Sequence, residues 1–291
     1  MKIIITGFNG FIGKHLMSIL NDQNDIFILL CRQSTKILTN FQSNMEIYRV
    51  NSFEEPINLS CDILVHLAGS SKWGTLENSN SFNSSICIMK NLMDTIKFTR
   101  FVYISSGAAD LYEKSQPKQL YYYALSKYLN ELQVKQLQNY IILRPGEVYG
   151  KDDKLITAQN ILNFQSKICF TTNSIISVTD ANSVAFGIKQ AIYSSKTGIY
   201  NLGGENISID RLARIVQQQS AIYSTNIIFS SILARYFAKF GKFFGIDDES
   251  IKYGTLDWYQ DSSKSIEELQ YKYNTVPYIV KNVVEWLKLR S

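Results

Sequence analysis

Tyr123 stands four residues before Lys127 in the stretch Tyr121-Tyr122-Tyr123-Ala124-Leu125-Ser126-Lys127. On a helix that spacing puts a phenol and an ammonium on one face. A phenol titrates near 10, so proton transfer around pH 7 asks for about three units, or about 4 kcal/mol. One positive charge about 4 Å away provides on the order of 4 kcal/mol at an effective dielectric of 20. Lys127 is therefore expected to lower the Tyr123 pKa enough for acid–base work. In a chain with 18 tyrosines, Tyr-x-x-x-Lys also arises by chance, so the chemistry needs company. It is found upstream, where Phe101-Val102-Tyr103-Ile104 runs into Ser105-Ser106-Gly107-Ala108. A hydroxyl at the end of such an apolar run can hold a carbonyl or hydroxyl oxygen while Tyr123 moves the proton.

A second constellation opens the chain. Gly7-Phe8-Asn9-Gly10-Phe11-Ile12-Gly13 follows an isoleucine run and precedes an amphipathic stretch, with Ile12, Leu16, Ile19 and Leu20 on one helical face. This is the setting of a dinucleotide fingerprint: Gly7 for a tight turn, Gly10 for close approach of a pyrophosphate, Gly13 for helix–strand packing. The next apolar run ends Leu30-Cys31-Arg32. With no carboxylate at position 31 and Arg32 beside it, with Lys36 behind, the extra phosphate of NADP is favoured over the ribose diol of NAD, the alternative. Leu67-Ala68-Gly69, after Val65-His66, are small enough for backbone to pass close to a cofactor. His66 reads as a structural histidine rather than a base, and His15 as a solvated one.

Elements must position these groups. Apolar runs at 2–6, 26–30, 46–50, 62–67, 101–105 and 140–144 read as strands, with helical segments after Gly10 and at 86–98 and 123–137. Buried strands separated by helices imply an α/β fold with a doubly wound parallel sheet. Beyond residue 144 the rhythm loosens: strands at 175–178 and 198–202 flank a helix at 181–193, and helices follow at 209–218, 231–244 and 277–289. The expected organisation is a Rossmann cofactor-binding domain over 1–145, to which 181–202 returns, and a smaller mixed substrate lobe over 146–291.

Bulk properties narrow the classes. The 291 residues are 45% hydrophobic and 19% charged, ordinary for a soluble globular chain. The net charge of +5 is spread along the sequence rather than clustered, which speaks against a nucleic-acid groove. Cys31, Cys61, Cys87 and Cys169 form no Cys-x-x-Cys pair, so neither a metal site nor a disulfide framework is expected. Glycines interrupt the first apolar stretch, unlike a signal peptide, and no run reaches the roughly 20 apolar residues of a membrane span. A cytoplasmic protein is expected.

Taken together, Thr6-Gly-x-x-Gly-x-x-Gly13, His66-Leu-Ala-Gly69, Ser105-Ser106, Tyr123-x-x-x-Lys127 and Arg144-Pro-Gly-Glu-Val-Tyr-Gly150 resemble the extended short-chain dehydrogenase/reductase family, in the order that family has them. The branch they look most like handles nucleotide sugars. The later half is similar more loosely, through Val178-Thr-Asp180, Gly198-Ile-Tyr-Asn-Leu-Gly203 and Leu256-Asp257 to Lys264. The resemblance implies a catalytic set of Ser106, Tyr123 and Lys127, with Ser105 the alternative serine. It implies that Lys127 also holds the nicotinamide ribose, that the substrate is a nucleoside-diphosphate sugar, and that the protein forms a homodimer through helices at 83–98 and 121–138. Gly107 and Ala108 follow Ser106 where dehydratases of the family carry an acidic pair, and Asp110 is displaced from it, so dehydration is not expected. What remains is NADPH-dependent reduction of a 4-keto (6-deoxy) sugar nucleotide; the alternatives are an NAD-dependent 4-epimerase with retained cofactor, a reductase of a non-sugar ketone, or a redox-sensing binding protein. Candidate substrate contacts are Ser105, Ser106, Trp73, Arg144 and Glu147. Arg211, Arg214, Arg235 and Lys239 are further diphosphate candidates, and Tyr236, Phe237, Phe240, Phe243 and Phe244 form an aromatic stripe.

Overall fold

Ile3, Ile4 and Ile5 are each fully buried, which a strand achieves when both faces of its sheet are covered. The computed structural model describes residues 1–20, 22, 24–37, 41–69, 78–115, 122–153, 157–230 and 255–289. The isoleucines lie in β1 (Lys2–Thr6). After it come α1 (Phe11–Ile19), β2 (Ile26–Arg32), β3 (Met45–Val50), β4 (Ile63–His66), α2 (Asn78–Thr95), β5 (Arg100–Ile104), α3 (Gly107–Ser115), α4 (Tyr122–Val134) and β6 (Tyr140–Pro145). All six expected strands form, with shifted ends; α3 was not anticipated. The chain continues through β7 (Glu147–Tyr149), α5 (Thr157–Phe164), β8 (Ile168–Thr172), β9 (Ile175–Asp180), α6 (Ala181–Tyr193), β10 (Gly198–Leu202), β11 (Glu205–Ser208), α7 (Ile209–Ser220), β12 (Thr225–Phe229), α8 (Ser263–Leu269) and α9 (Val276–Lys288).

Two compact units result. The first, Met1–Pro145 with Ala185–Asn201 and Ser263–Tyr271, holds a seven-stranded sheet in the order β10-β6-β5-β4-β1-β2-β3. Its pairs from β3 through β6 are parallel. The chain order runs outward one way from β1 to β3 and the other way from β4 to β6, so it reverses between β1 and β4. Ligands of open α/β sheets bind outside the carboxyl ends of the strands at such a reversal. Thr6 and His66, paired in register, stand there. Ile4, Ile28, Leu64, Phe101 and Ile142 pack with Met89 and Leu92 of α2 and Val134 of α4 beneath it.

The second unit, Gly146–Val184, Leu202–Ser262 and Lys272–Ser291, has a three-stranded sheet β11-β9-β7 and a two-stranded sheet β12-β8. Its core joins Tyr149, Ile176, Val178, Leu212, Val280 and Val284. The expected helix at 231–244 lies outside the described residues. Among the described residues, no helix is long and apolar enough to cross a membrane, and no group of three or more His, Cys, Asp or Glu could hold a metal ion.

Candidate active site

The first turn after β1 is built from backbone alone. Gly7 has φ +74°, a left-handed conformation that side chains disfavour. A Cβ on it would stand 2.5 Å from the Ala68 nitrogen, so the turn rests directly on the loop after β4. The Gly10 N–H closes the turn on the Gly7 carbonyl at 3.0 Å. A Cβ on Gly13 would strike the Gly7 carbonyl and the Phe8 backbone, so this glycine lets α1 lie on the loop. Gly10 is different: a Cβ there would meet only the Gly7 carbonyl, at 3.2 Å. It is the N-cap of α1, without a side-chain cap, and the first turn carries no acidic residue. The free N–H groups and partial positive charge of that helix end suit an anion. A dinucleotide pyrophosphate fits here, held by backbone of residues 7–13; Phe8, 1% exposed, can contribute only its main chain.

The neighbouring wall is cationic. Arg32 ends β2 with an exposed side chain, and Cys31 beside it is buried. From β3, Arg49 donates through Nη1 to the carbonyls of Gln33 and Thr35, each at 3.0 Å, and of Arg32 at 3.4 Å. The Asn9 amide of the glycine loop donates to the Lys36 carbonyl at 2.8 Å. The loop bearing Arg32 and Lys36 is thus tied on both sides.

On the other side of β4 lie Ser106, Tyr123 and Lys127. Ser106 Oγ accepts the Ala108 N–H at 3.1 Å, starting α3, and its hydroxyl neighbours the Tyr123 phenol. Lys127 Nζ donates to the Ile104 carbonyl at 3.1 Å. A Cβ on Gly69 would stand 3.2 Å from that ammonium, so the loop after β4 passes close to Lys127. Lys127 Nζ is 5.3 Å from the Tyr103 ring centre and 6.0 Å from that of Tyr123. Burial raises the Tyr123 phenol above its ordinary value, and the Ser106 hydrogen bond only partly offsets this. The expected lowering by Lys127 is therefore not found, because desolvation outweighs a charge at that distance. A phenol in this state is protonated at neutral pH and can give a proton. Burial also brings Lys127 down to about 8, with the Glu131 carboxylate pulling the other way. His66 shares a 2.7 Å hydrogen bond with Thr6 Oγ1 and stacks on Tyr103. Burial, and then Lys127, lower it to about 3, so it is neutral.

Residues 3–203 match the family model "NAD dependent epimerase/dehydratase family". The chain belongs to this family. It is an NAD(P)-dependent enzyme of the extended short-chain dehydrogenase/reductase type. Among similar proteins is one from Synechocystis named "Putative dihydroflavonol 4-reductase", 22% identical over 98% of this chain and 94% of its own length. Two solved structures share the fold. PA4631, a nucleoside-diphosphate-sugar epimerase from Pseudomonas aeruginosa, has a TM-score of 0.74 at 18% identity, covering 100% of this chain and 98% of its own. WbmG of Bordetella bronchiseptica, in complex with NAD and UDP, has a TM-score of 0.69 at 15% identity, covering 99% and 95%.

The substrate contacts that likeness to the epimerase/dehydratase family suggested are redistributed by the structure. Ser105 is 4% exposed and donates to Glu131 Oε1 at 2.5 Å, so it faces the protein. Arg144, also 4% exposed, is not available to a diphosphate. Its Nε and Nη2 donate to Glu131 at 2.9 and 2.6 Å, Nη1 to Asp110 at 2.7 Å and Nη2 to Glu113 at 2.7 Å. Glu147, in the second unit, accepts from Tyr149 Oη at 2.6 Å and Asn160 Nδ2 at 3.0 Å, and burial raises its pKa. Arg211 is exposed, and Arg214 pairs with Asp210 at 2.8 Å. Trp73, Arg235, Lys239 and the aromatic stripe lie outside the described residues. Two residues that hold these candidate groups in place escaped the sequence reading. Glu131 had a signal, its i,i+4 spacing from Lys127; Arg49, on an edge strand, had none.

Proposed function

We propose that this enzyme is an NADPH-dependent reductase that converts the keto group of a 4-keto (6-deoxy) sugar nucleotide to a hydroxyl. The observation that carries the reading is the half-buried Tyr123 phenol, held protonated by desolvation beside the Ser106 hydroxyl, a proton donor next to a group able to orient a carbonyl. The uncapped start of α1 and the open face of Gly10 support a pyrophosphate. Arg32, the Arg49-braced loop and the absence of a carboxylate at Cys31 support NADP. When bound, the nicotinamide supplies hydride to the carbonyl carbon. Ser106 holds the carbonyl oxygen, Tyr123 gives it the proton, and the Lys127 ammonium stabilises the phenolate left behind. A sugar nucleotide is supported by the name of PA4631 and by the UDP held by WbmG. Against dehydration, Gly107 and Ala108 offer no acid, and Asp110 is taken up by Arg144 and Lys114.

A second reading, an NAD-dependent 4-epimerase with retained cofactor, draws on the same names and the NAD of WbmG. A third, reduction of a non-sugar ketone, draws on the Synechocystis relative's name. The deciding experiment releases any bound nucleotide by denaturation, identifies it, and titrates the emptied protein with NADPH and NADH. Loose binding that prefers NADPH, with the preference lost in Arg32→Ala, is expected. Stoichiometric NAD that does not wash away overturns the reductase in favour of the epimerase. NADPH consumption with a 4-keto-6-deoxy sugar nucleotide, set against a dihydroflavonol, separates the remaining two.

A further inference from the structure

We propose that Glu131 is a positioning residue of this site: its buried carboxylate, one turn beyond Lys127 on α4, keeps that ammonium charged and anchors the end of β5 that presents the serine pair. This deepens, and rests on, the reading of Tyr123 and Lys127 as the proton-transfer pair.

Glu131 is fully buried, and a carboxylate there persists as an anion only with partners. It has three hydrogen bonds: Ser105 Oγ at 2.5 Å, Arg144 Nε at 2.9 Å and Arg144 Nη2 at 2.6 Å. Arg144 does not simply cancel it, because the same guanidinium also serves Asp110 and Glu113. Those two carboxylates pair in turn with Lys114 at 2.6 Å and Lys135 at 3.6 Å. Lys127, by contrast, has no salt bridge among the described residues; its ammonium meets the Ile104 carbonyl and the faces of Tyr103 and Tyr123. Among the described residues, the charged and titratable groups around the pair include Asp110, Glu113 and Lys114 on α3, Tyr123 and Lys135 near the two ends of α4, Arg144 on β6, Tyr103 on β5 and neutral His66 on β4. From α2, Ser85 meets Asn130 with an uncharged hydroxyl. Glu131 is the carboxylate whose field raises the Lys127 pKa against burial. One side chain therefore joins the helix of the catalytic lysine to the residue adjoining Ser106.

The test is a pH titration of the full chain by NMR, with 13Cε-lysine and 13Cζ-tyrosine labels, in wild type, Glu131→Gln, Glu131→Asp and Asp110→Asn. Lys127→Arg and Tyr123→Phe identify the two signals. Removing a negative charge favours the deprotonated form of both groups, so Glu131→Gln should lower the Lys127 pKa by about one unit, the scale on which a nearby opposite charge acts. Glu131→Asp keeps the charge and Asp110→Asn lies beyond Arg144, so both should leave it within a few tenths. An unmoved Lys127 in Glu131→Gln overturns the proposal. So does a one-unit fall in Glu131→Asp or Asp110→Asn, which holds even if Glu131→Gln does not fold. The titration needs no substrate, whereas the reading beneath it fails separately, if Tyr123→Phe keeps wild-type turnover.

Discussion

The Thr6 hydroxyl and His66 Nδ1 lie 2.7 Å apart at the carboxyl ends of the adjacent strands β1 and β4. Thr6 Oγ1 also accepts the Ala68 N–H at 3.4 Å, and burial with the nearby Lys127 ammonium keeps the imidazole neutral. Its pKa falls to about 3, whereas an unfolded histidine titrates near 6.5. Between these values the unfolded state binds the extra proton, so the stability is complete above about 6.5 and is lost as pH falls towards 3. Denaturant unfolding at pH 7 and pH 4.5 should show a loss of about 2 kcal/mol attributable to this one group. His66→Asn, which keeps an acceptor for Thr6, should shrink that loss; an equal loss in both proteins would count against a neutral His66.

The three glycines of the first loop should separate by phenotype. Gly7→Ala forces a side chain into left-handed backbone and against Ala68, and should cost about 2 kcal/mol or more of stability. Gly10→Ala has ordinary backbone and only one close contact, at 3.2 Å. It should fold nearly as well as wild type while nucleotide affinity drops by about tenfold, or about 1.4 kcal/mol. Thermal unfolding read beside nucleotide titration distinguishes the two, and equal behaviour would refute the division of roles.

Arg32 and Arg49 should both govern the choice of nucleotide, by different routes. Arg32→Ala removes a donor for the 2′-phosphate. Arg49→Ala removes the brace on the carbonyls of Gln33 and Thr35, leaving Arg32 in place on a looser loop. Each should weaken NADPH by about tenfold with a smaller effect on NADH, since a charge-assisted contact is roughly twice as strong as a neutral one. Isothermal titration with both nucleotides checks this; a uniform loss for the two would assign Arg49 to folding only.

The neighbouring serines should also part company. Ser106→Ala removes the hydroxyl beside the Tyr123 phenol and should slow turnover by about 10²-fold, with about 1 kcal/mol of stability lost with the Ala108 cap. Ser105→Ala leaves the Glu131 carboxylate short of a buried donor, costing about 1–3 kcal/mol of stability with the smaller effect on rate. Steady-state kinetics and unfolding curves on both variants give the comparison.

Tyr123→Phe should reduce turnover by about 10²–10⁴-fold, the usual weight of a positioned proton donor. With the phenol raised and Lys127 at about 8, reduction should hold at neutral pH and decline as pH rises through about 8, where the ammonium is lost. A pH–rate profile flat to pH 10 would contradict this.

Much of the molecule could be read locally. Five of the parallel strands announce themselves as short apolar runs because they are buried along most of their length, whereas the edge strand β3 is largely exposed and shows only in its Ile47, Tyr48 and Val50. α3 escaped because its buried face is built on Ala108 and Ala109, which give no large apolar stripe. β8 escaped for a related reason: Ile168 and Phe170 are exposed while Cys169 and Thr171 are buried, the reverse of what hydrophobicity alone suggests. Within the site, the Tyr123–Lys127 pair and the glycine loop were legible because each depends on residues a few positions apart, on one helix or one turn.

The sequence by itself therefore determined the parallel sheet, the glycine turn that opens α1 and the Tyr123–Lys127 spacing on α4. Only the tertiary structure turned Ser105 inward to Glu131, turned Arg144 from a diphosphate candidate into a buried counter-ion, and reversed the expected shift of Tyr123. The carboxylates of Arg144 lie 13, 31 and 34 residues away in the chain. Their meeting depends on which strand and helix ends the sheet brings side by side, and no local spacing encodes that. Desolvation is likewise a property of the packed surroundings, so it could outweigh a charge that spacing alone had placed beside the phenol.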